Sequence, residues 1–324
     1  QCGSNQTSVS SIQGLTTTYY NPSCGESIKY APISTRHTPI KRIRVSLHFI
    51  QDDNGNGNFS NIDLTNPNLN DESAYWISIT GRINGFYSSL QAMNMATTSL
   101  YIQDSRIRFE FDNSRIYYHK NSTLYNQGYQ VFNDNWDNSV YTDLVDQNST
   151  VANKSDAIHV FFFHEGNGRG GHVKSSIIGN AVYIKGPYDQ FNFDKTNGNQ
   201  QRVWEPPGAV CHEIGHCLGL LHAWYGDGCD DTPDNENCWN LNSPPGNPAC
   251  SIPANLSNNM MDYNACTCAL TECQLGRMHY NLIHDPRCNA YYIKDYYLKG
   301  LQECTYKVNP VNNNLAILQS LTFQ

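Results

Sequence analysis

The first half of the chain alternates apolar and polar residues over two stretches. Every second residue is apolar at Ile43, Val45, Leu47 and Phe49, and again at Ile107, Phe109 and Phe111. This period of two places one set of side chains on one face, so each stretch is predicted to be a strand with one buried face. A continuous apolar run over 157–163 predicts a further strand that is buried on both faces of a sheet covered by helices.

Other stretches have the spacing of helices. Apolar residues between 76 and 90 recur at intervals of three and four, which predicts a helix over 71–93 that packs on the sheet. A weaker pattern predicts a second helix from about 135 to 146. Thr271 and Gln274 have the capping-box spacing, and they predict the start of a final helix that ends near His284.

The densest chemical signal is a histidine-rich stretch in the second half of the chain. His212 and His216 are four residues apart, so on a helix both imidazoles face one point, with Glu213 beside them. Gly219 can end that helix by taking a positive φ, and the chain can then bring His222 to the same point. Three neutral nitrogen ligands leave zinc one position for water, which is typical of a catalytic site. Glu213 is well placed to accept a proton from that water.

The short form of this motif also has an ordinary structural interpretation. His-Glu-x-x-His arises by chance, and an amphipathic core helix with two hydrogen-bonded histidines would show the same residues. The full spacing His-Glu-x-x-His-x-x-Gly-x-x-His is far more restrictive, and with a downstream methionine turn it is the signature of metzincins. Residues 259–263, Asn-Met-Met-Asp-Tyr, supply that turn here.

The chain therefore resembles the metzincin metallopeptidases, and among them the pappalysin family, whose members share the Met-Asp-Tyr turn. Asp-Thr-Pro at 231–233 and Leu-Thr-x-x-Gln-x-x-Arg-Met at 270–278 are similar to that family's pattern as well. The resemblance implies an α+β metzincin fold, in which a mixed twisted sheet is backed by helices. The expected division is an irregular segment at 1–39, an α/β-like upper subdomain with the active-site helix at 40–222, and a smaller disulfide-rich lower subdomain at 223–324.

The same resemblance implies roles for residues around the metal. Met261, rather than Met260, is expected to form an apolar floor beneath the imidazoles without binding zinc. Tyr263 is expected to approach the metal or to stabilise the oxyanion, and its alternative is an ordinary packed tyrosine. In the resembled enzymes the strand before the active-site helix pairs with extended substrate, and residues 172–184 are the matching stretch. The expected partner is therefore a protein or peptide substrate bound as an extended strand.

Calcium is implied just past the third histidine. By the resemblance, Asp227 and Thr232 would supply side-chain oxygens and Asp230 a carbonyl, which are the hard ligands that calcium takes. An acidic solvated loop is the alternative. Residues 52–63 also approach the ligand pattern of an EF-hand loop, but a strand leads into them, so a solvated turn rich in Asn and Gly is the favoured interpretation.

Twelve cysteines, an even number, favour disulfides and a secreted protein, because a reducing cytosol would leave most of these thiols free. The spacing of Cys266, Cys268 and Cys273 does not give paired Cys-x-x-Cys motifs, so a structural zinc site is not expected. The family resemblance implies two disulfides, Cys229 with Cys250 and Cys238 with Cys268.

The N-terminal Cys2 has two interpretations. A disulfide with Cys24 is favoured by the even number of cysteines. The alternative comes from the resemblance, because some members of the family are kept latent by a pro-segment cysteine on the zinc. The chain opens at Gln1 without a signal peptide, and we expect it to be a processed or trimmed form.

Charge and hydropathy limit the classes of binding partner that the sequence predicts. The net charge of −8 and the pI near 5.7 argue against nucleic acid or an anionic membrane. No apolar run approaches the roughly 20 residues of a membrane-spanning helix. Nothing in the sequence indicates an oligomeric state.

Three functions compete, and a secreted zinc endopeptidase with Glu213 as general base is favoured. A catalytically silent, zinc-containing binding or adhesion module could use the same scaffold, but binding zinc alone would not need Glu213. Residues 166–171 satisfy Gly-x-Gly-x-x-Gly, yet the β-branched residues after them do not predict the helix that a dinucleotide needs. A preference for Arg is in doubt, because 264–268 lacks the acidic residue that Arg-specific members carry there.

Overall fold

A five-stranded mixed sheet organises the described part of the chain. Its strands are β1 (Lys41–Gln51), β2 (Ile107–Lys120), β3 (Ile158–Phe163), β4 (Lys174–Ile178) and β5 (Ala181–Lys185). The order across the sheet is β2-β1-β3-β5-β4, and β4 alone is antiparallel to its neighbour. The computed structural model describes residues 22–33, 38–95, 98–127, 142–146, 148–151, 155–164, 174–178, 180–199, 205–223, 226–232, 257–262 and 268–294.

Helices flank this sheet. They are α1 (Cys24–Ile28), α2 (Asp71–Ser88), α3 (Ser122–Gln127), α4 (Pro187–Thr196), α5 (Glu205–Cys217), α6 (Glu272–His284) and α7 (Pro286–Tyr291), with one π-helical turn at Thr142–Asp146. The α+β class with a mixed sheet, which the sequence predicts, is confirmed. None of the helices in the described segments is both long enough and apolar enough to cross a membrane.

The sheet is covered on both faces. One face packs with α2 and α5 in a core that includes Val45, Trp76 and Ile214. The other face packs with the π-helical turn, and that core includes Phe161 and Leu144. All six residues of β3 are buried, which confirms the strand that the continuous apolar run predicts.

Two predicted elements differ from the observed ones. The helix expected over 71–93 ends at Ser88, because the next backbone amides donate to carbonyls of other segments, that of Leu90 to Gln103 and that of Gln91 to Cys268. The described residues of the stretch 172–184 contain two antiparallel strands, β4 and the first four residues of β5, in which Ile178 pairs with Ala181. Strand β4 is therefore one edge of the sheet among the described strands, and β2 is the other.

Residues 52–63 form a connection rich in turns after β1. One carboxylate oxygen of Asp52 accepts the backbone amides of Asn54 at 2.9 Å and Asn56 at 2.8 Å. This is the local hydrogen bonding by which Asp stabilises a turn, in agreement with the solvated turn that the sequence favours.

The N-terminal segment contains a short helix where the sequence predicts irregular structure. The Ser23 side chain accepts the amide of Glu26 and caps the start of α1. Contacts divide the chain into two units, Gln1–Tyr292 and Ile293–Gln324, and every helix and strand named above belongs to the first. The division into upper and lower subdomains at His222 stays a prediction.

The disulfides differ from the expected pairs. Cys229 is bonded to Cys273, so the pair Cys229–Cys250 is wrong. The reason is local, because a carboxylate oxygen of Asp231 accepts the Cys273 amide at 2.9 Å and brings the loop to the first turn of α6. Cys24 is a free buried thiol, so the expected bond to Cys2 is wrong as well. Cys268 is disulfide-bonded, and its expected partner Cys238 lies outside the described residues, as does Cys2.

Candidate metal centre

Helix α5 carries the first two histidines and ends at a glycine. Gly219 has φ of 90°, which confirms the positive φ that the sequence predicts. The amide of Leu220 reaches back to the carbonyl of Gly215 at 3.0 Å, as in a left-handed helix termination. A Cβ at Gly219 would lie 2.0 Å from Nδ2 of Asn281, so glycine is required there for space as well. The turn sends the chain back toward the helix and delivers His222.

Three imidazole nitrogens converge at the end of this turn. Nε2 of His216 lies 3.2 Å from Nε2 of His212 and 3.2 Å from Nε2 of His222. Tetrahedral zinc with bonds of about 2.0–2.1 Å holds its nitrogen ligands about 3.3 Å apart. The structure therefore brings the three predicted ligands together at the spacing of a zinc site.

Backbone carbonyls fix which nitrogen of each helical histidine faces that point. Nδ1 of His212 lies 2.9 Å from the carbonyl of Met260, and Nδ1 of His216 lies 2.7 Å from the carbonyl of Leu220. A carbonyl only accepts, so each Nδ1 carries the proton and each Nε2 presents a lone pair. Two lone pairs at 3.2 Å cannot bond to each other, and a cation between them removes the repulsion. The donor set thus fits a divalent metal.

The three histidines are held neutral. Burial is the main cause that lowers the pKa of His212 to about 3, of His216 to about 4 and of His222 to about 2. Charge on His216 would lower the pKa of the other two further. Neutral imidazole is the form that binds metal, so the site is ready for an ion at physiological pH.

The other predicted residues lie around this centre. Glu213 follows His212 on α5 and is 3 % exposed. Met261 is fully buried under α5, where its Sδ would lie 2.5 Å from a Cβ at Gly215. The Met261 carbonyl accepts the amide of Ala223, which ties the Met-turn to the residue after His222. Tyr263 lies outside the described residues, and its role stays a prediction.

Sequence reasoning missed three groups that position the metal ligands. Two of them are the carbonyls of Met260 and Leu220, and no sequence signal could have found them because every residue has a carbonyl. The third is Asn281 of α6, whose Nδ2 donates to the carbonyl of Leu218 at 2.9 Å. For Asn281 the sequence offers one signal, because it is a polar residue on a predicted helix whose other positions predicted to be buried are apolar.

The predicted calcium residues are partly brought together. The Thr232 hydroxyl donates to Oδ2 of Asp227 at 2.9 Å, and the amide of Cys229 donates to Oδ1 at 2.8 Å. Burial is the main cause that raises the pKa of Asp227 to about 6. Asp230 is exposed, and its backbone amide donates to the sulfur of Cys24.

Part of the chain matches a known protein family, and two solved structures are similar to the chain. Residues 125–283 match the model of the Peptidase M43 family, described as pregnancy-associated plasma protein-A. Mature mirolysin of Tannerella forsythia in complex with a cleaved peptide is 16% identical, with a TM-score of 0.44, over 80% of this chain and 97% of that one. Mirolysin in complex with compound 9 is also 16% identical, with a TM-score of 0.44, over 79% and 97%. No curated protein matches. The family match and the three converging histidines together indicate a metallopeptidase.

Proposed function

Because this chain belongs to the pappalysin family of metallopeptidases, we propose that it is a secreted zinc endopeptidase in which Glu213 is the general base. The observation that carries the proposal is the convergence of the three Nε2 atoms, with two imidazoles oriented by carbonyls. The twelve cysteines and the disulfide of Cys229 with Cys273 support export. Isolation of the native protein from a reducing cytosol would contradict export.

The chain's own residues supply the proton transfers. When bound by His212, His216 and His222, zinc supplies Lewis-acid chemistry that acidifies water and polarises a peptide carbonyl. Glu213, buried beside His212, accepts a proton and returns it to the leaving amine. Tyr263, two residues after Met261, is the proposed donor to the developing oxyanion.

Strand β4 is the proposed support for the substrate. Among the described residues it is an edge strand of the sheet, and antiparallel β5 pairs with one of its two sides. An extended peptide can add to such an edge through backbone hydrogen bonds, which places little demand on its sequence. The partner class is therefore a protein or peptide in extended conformation.

Substitution of the proposed base tests the function. Glu213→Gln removes the proton acceptor and keeps the shape, so we expect peptide hydrolysis to fall by about 10²–10⁴-fold. Zinc content, measured by elemental analysis, should be unchanged because Glu213 is not a ligand. Glu110→Gln on β2 is the matched control and should keep full activity.

The remaining outcomes distinguish the competing explanations. Hydrolysis by the wild-type protein should stop with a zinc chelator and return with added zinc. Full activity of Glu213→Gln would show that the base is misassigned. Wild-type protein that binds zinc but leaves a broad peptide library intact would identify a binding module instead of an enzyme.

We also propose a structural calcium ion at Asp227, Asp230 and Thr232. The buried Asp227 carboxylate beside the Thr232 hydroxyl supports it. Calcium is expected to raise the melting temperature, by about 2–4 °C for each kcal/mol of binding free energy. Asp227→Asn should abolish the rise in melting temperature with calcium. Asp52→Asn, in the turn at residues 52–63, should leave that rise unchanged. The reverse result would place the ion in residues 52–63, and no rise in the wild type would mean no site.

A further inference from the structure

Three cysteine sulfurs meet in a buried cluster outside the metal centre. This sulfur cluster consists of Cys24, Cys229 and Cys273. Cys229 and Cys273 form the disulfide, whereas Cys24 is a free thiol. The sulfur atoms of Cys24 and Cys273 lie within 4.8 Å of each other. A thiol so near a disulfide sulfur has little distance to cover to attack it.

The backbone around the sulfur cluster is held by contacts that do not depend on the disulfide. A Cβ at Gly276 would lie 2.1 Å from the carbonyl oxygen of Ser27, so α1 packs directly on the backbone of α6. Arg277 donates to the carbonyls of Pro22 at 3.2 Å and Gly228 at 2.6 Å. One side chain thus joins the segment before α1 to the loop that carries the disulfide. Non-covalent contacts therefore hold the segments of Cys24 and Cys229 beside Cys273 of α6.

We propose that Cys273 exchanges its disulfide partner between Cys229 and Cys24. The Cys24 thiolate attacks Sγ of Cys273, and the Cys24–Cys273 bond forms while the Cys229–Cys273 bond breaks. Cys229 leaves as a thiolate and takes up the proton that Cys24 lost. One disulfide and one thiol are present before and after, so the step needs no external oxidant or reductant.

Thiolate formation sets the rate of the exchange. Only a thiolate attacks a disulfide, so the exchange accelerates as the pH rises toward the ordinary pKa of a cysteine thiol.

The two pairings tie different parts of the chain to α6. When Cys273 is bonded to Cys229, the disulfide attaches residues 226–232 to α6, and these residues follow the third proposed zinc ligand and contain the proposed calcium residues. When Cys273 is bonded to Cys24, the disulfide attaches α1 to α6, and Cys229 is a free thiol. The exchange therefore links the covalent attachment of the N-terminal segment to that of the loop beside the metal centre.

Peptide mapping of the wild-type protein tests the exchange. The folded protein is held at about pH 8.5, near the ordinary pKa of a cysteine thiol, then acidified, alkylated during unfolding, and cut after Lys, Arg and Glu. Cys273 then lies alone in peptide 273–277, Cys229 lies in 214–236, and Cys24 lies in 1–26. We expect 273–277 joined to 214–236 in one population and to 1–26 in another that grows with time.

Substitutions assign the join. Cys24→Ser should remove the join to 1–26, which excludes Cys2 in the same peptide. Cys229→Ser should remove the join to 214–236, which excludes Cys217 in that peptide. When glutathione disulfide is added as the oxidant, Cys273 of this variant should form its bond with Cys24, so that alkylation of Cys24 falls about tenfold or more. Cys288→Ser removes another buried thiol and should change neither population. Wild-type protein in which 273–277 is joined only to 214–236 at all times, with Cys24 fully alkylated, would overturn the proposal.

Discussion

Gly215 stands where the active-site helix meets the Met-turn. An added Cβ would lie 2.5 Å from Sδ of Met261 and 3.3 Å from its methyl carbon. Met261 is fully buried, and a close-packed interior gives its thioether little space to move into. The missing side chain at 215 therefore lets the turns that carry His212 and His216 rest directly on the methionine.

We expect Gly215→Ala to destabilise the protein by about 1–3 kcal/mol, the usual effect of forcing an extra carbon into a packed core. Urea unfolding measures this change, and zinc content reports on the histidines. In a Met261→Ala background the same substitution should cost less, because the sulfur that it meets is gone. Gly85→Ala in α2 is the matched control, since no atom lies within 4 Å of its added carbon. Equal effects at 215 and 85 would show that Met261 does not constrain the helix.

At the scale of elements, α6 closes the end of α5. The last carbonyls of a helix have no partner within it, and buried ones must find one elsewhere. Asn281 of α6, itself 1 % exposed, supplies that partner to Leu218. Helix α6 thereby fixes where the chain leaves α5, and so where His222 arrives.

Asn281→Ala is expected to lower the free energy of unfolding by about 1–3 kcal/mol, because it leaves a buried carbonyl without a donor. It should also release zinc to a competing chelator more readily than the wild type does. The matched control is Asn289→Ala, whose Nδ2 donates to the carbonyl of Leu282 near the end of α6 and not to the carbonyl of Leu218. Equal zinc retention by the two variants would exclude the positioning role of Asn281.

Elements were predictable where local pattern and tertiary packing agree. The capping box of Thr271 and Gln274 is observed, because both of its hydrogen bonds are local. The end of α2 was not predictable, since it depends on hydrogen bonds to Gln103 and Cys268. Helix α4 was missed, although Gly186 with φ of 88° and Pro187 at its first turn mark its start. The pairing of Cys229 depends on how α6 meets the loop, which spacing alone does not encode.

At the scale of the whole molecule, three buried histidines cross the sheet on the face opposite α2 and α5. Nδ1 of His48 lies 2.8 Å from Nε2 of His119, and Nε2 of His48 lies 2.8 Å from Nδ1 of His159. His119 is on β2, His48 on β1 and His159 on β3. The ring of Phe161 stacks on that of His48, with the ring centroids 4.4 Å apart. Burial, and then charge on His159, lowers the pKa of His119 to about 4, and burial lowers that of His48 well below its usual range. The folded sheet therefore holds His48 and His119 uncharged.

The lowered pKa of His119 predicts that the fold weakens in mild acid. An unfolded histidine has a pKa near 6.5, so between about pH 6.5 and 4 the unfolded state binds a proton at His119 that the folded state does not bind. The stabilising contribution is complete above about pH 6.5 and is lost as the pH falls toward 4. From pH 7 to pH 5, His119 alone should account for about 2 kcal/mol of lost stability, measured by urea unfolding. His119→Gln should reduce the difference in stability between the two pH values by about that amount. The same pH dependence in the wild type and in this variant would show that acid acts through other groups, and His119 would then have no part in the acid response.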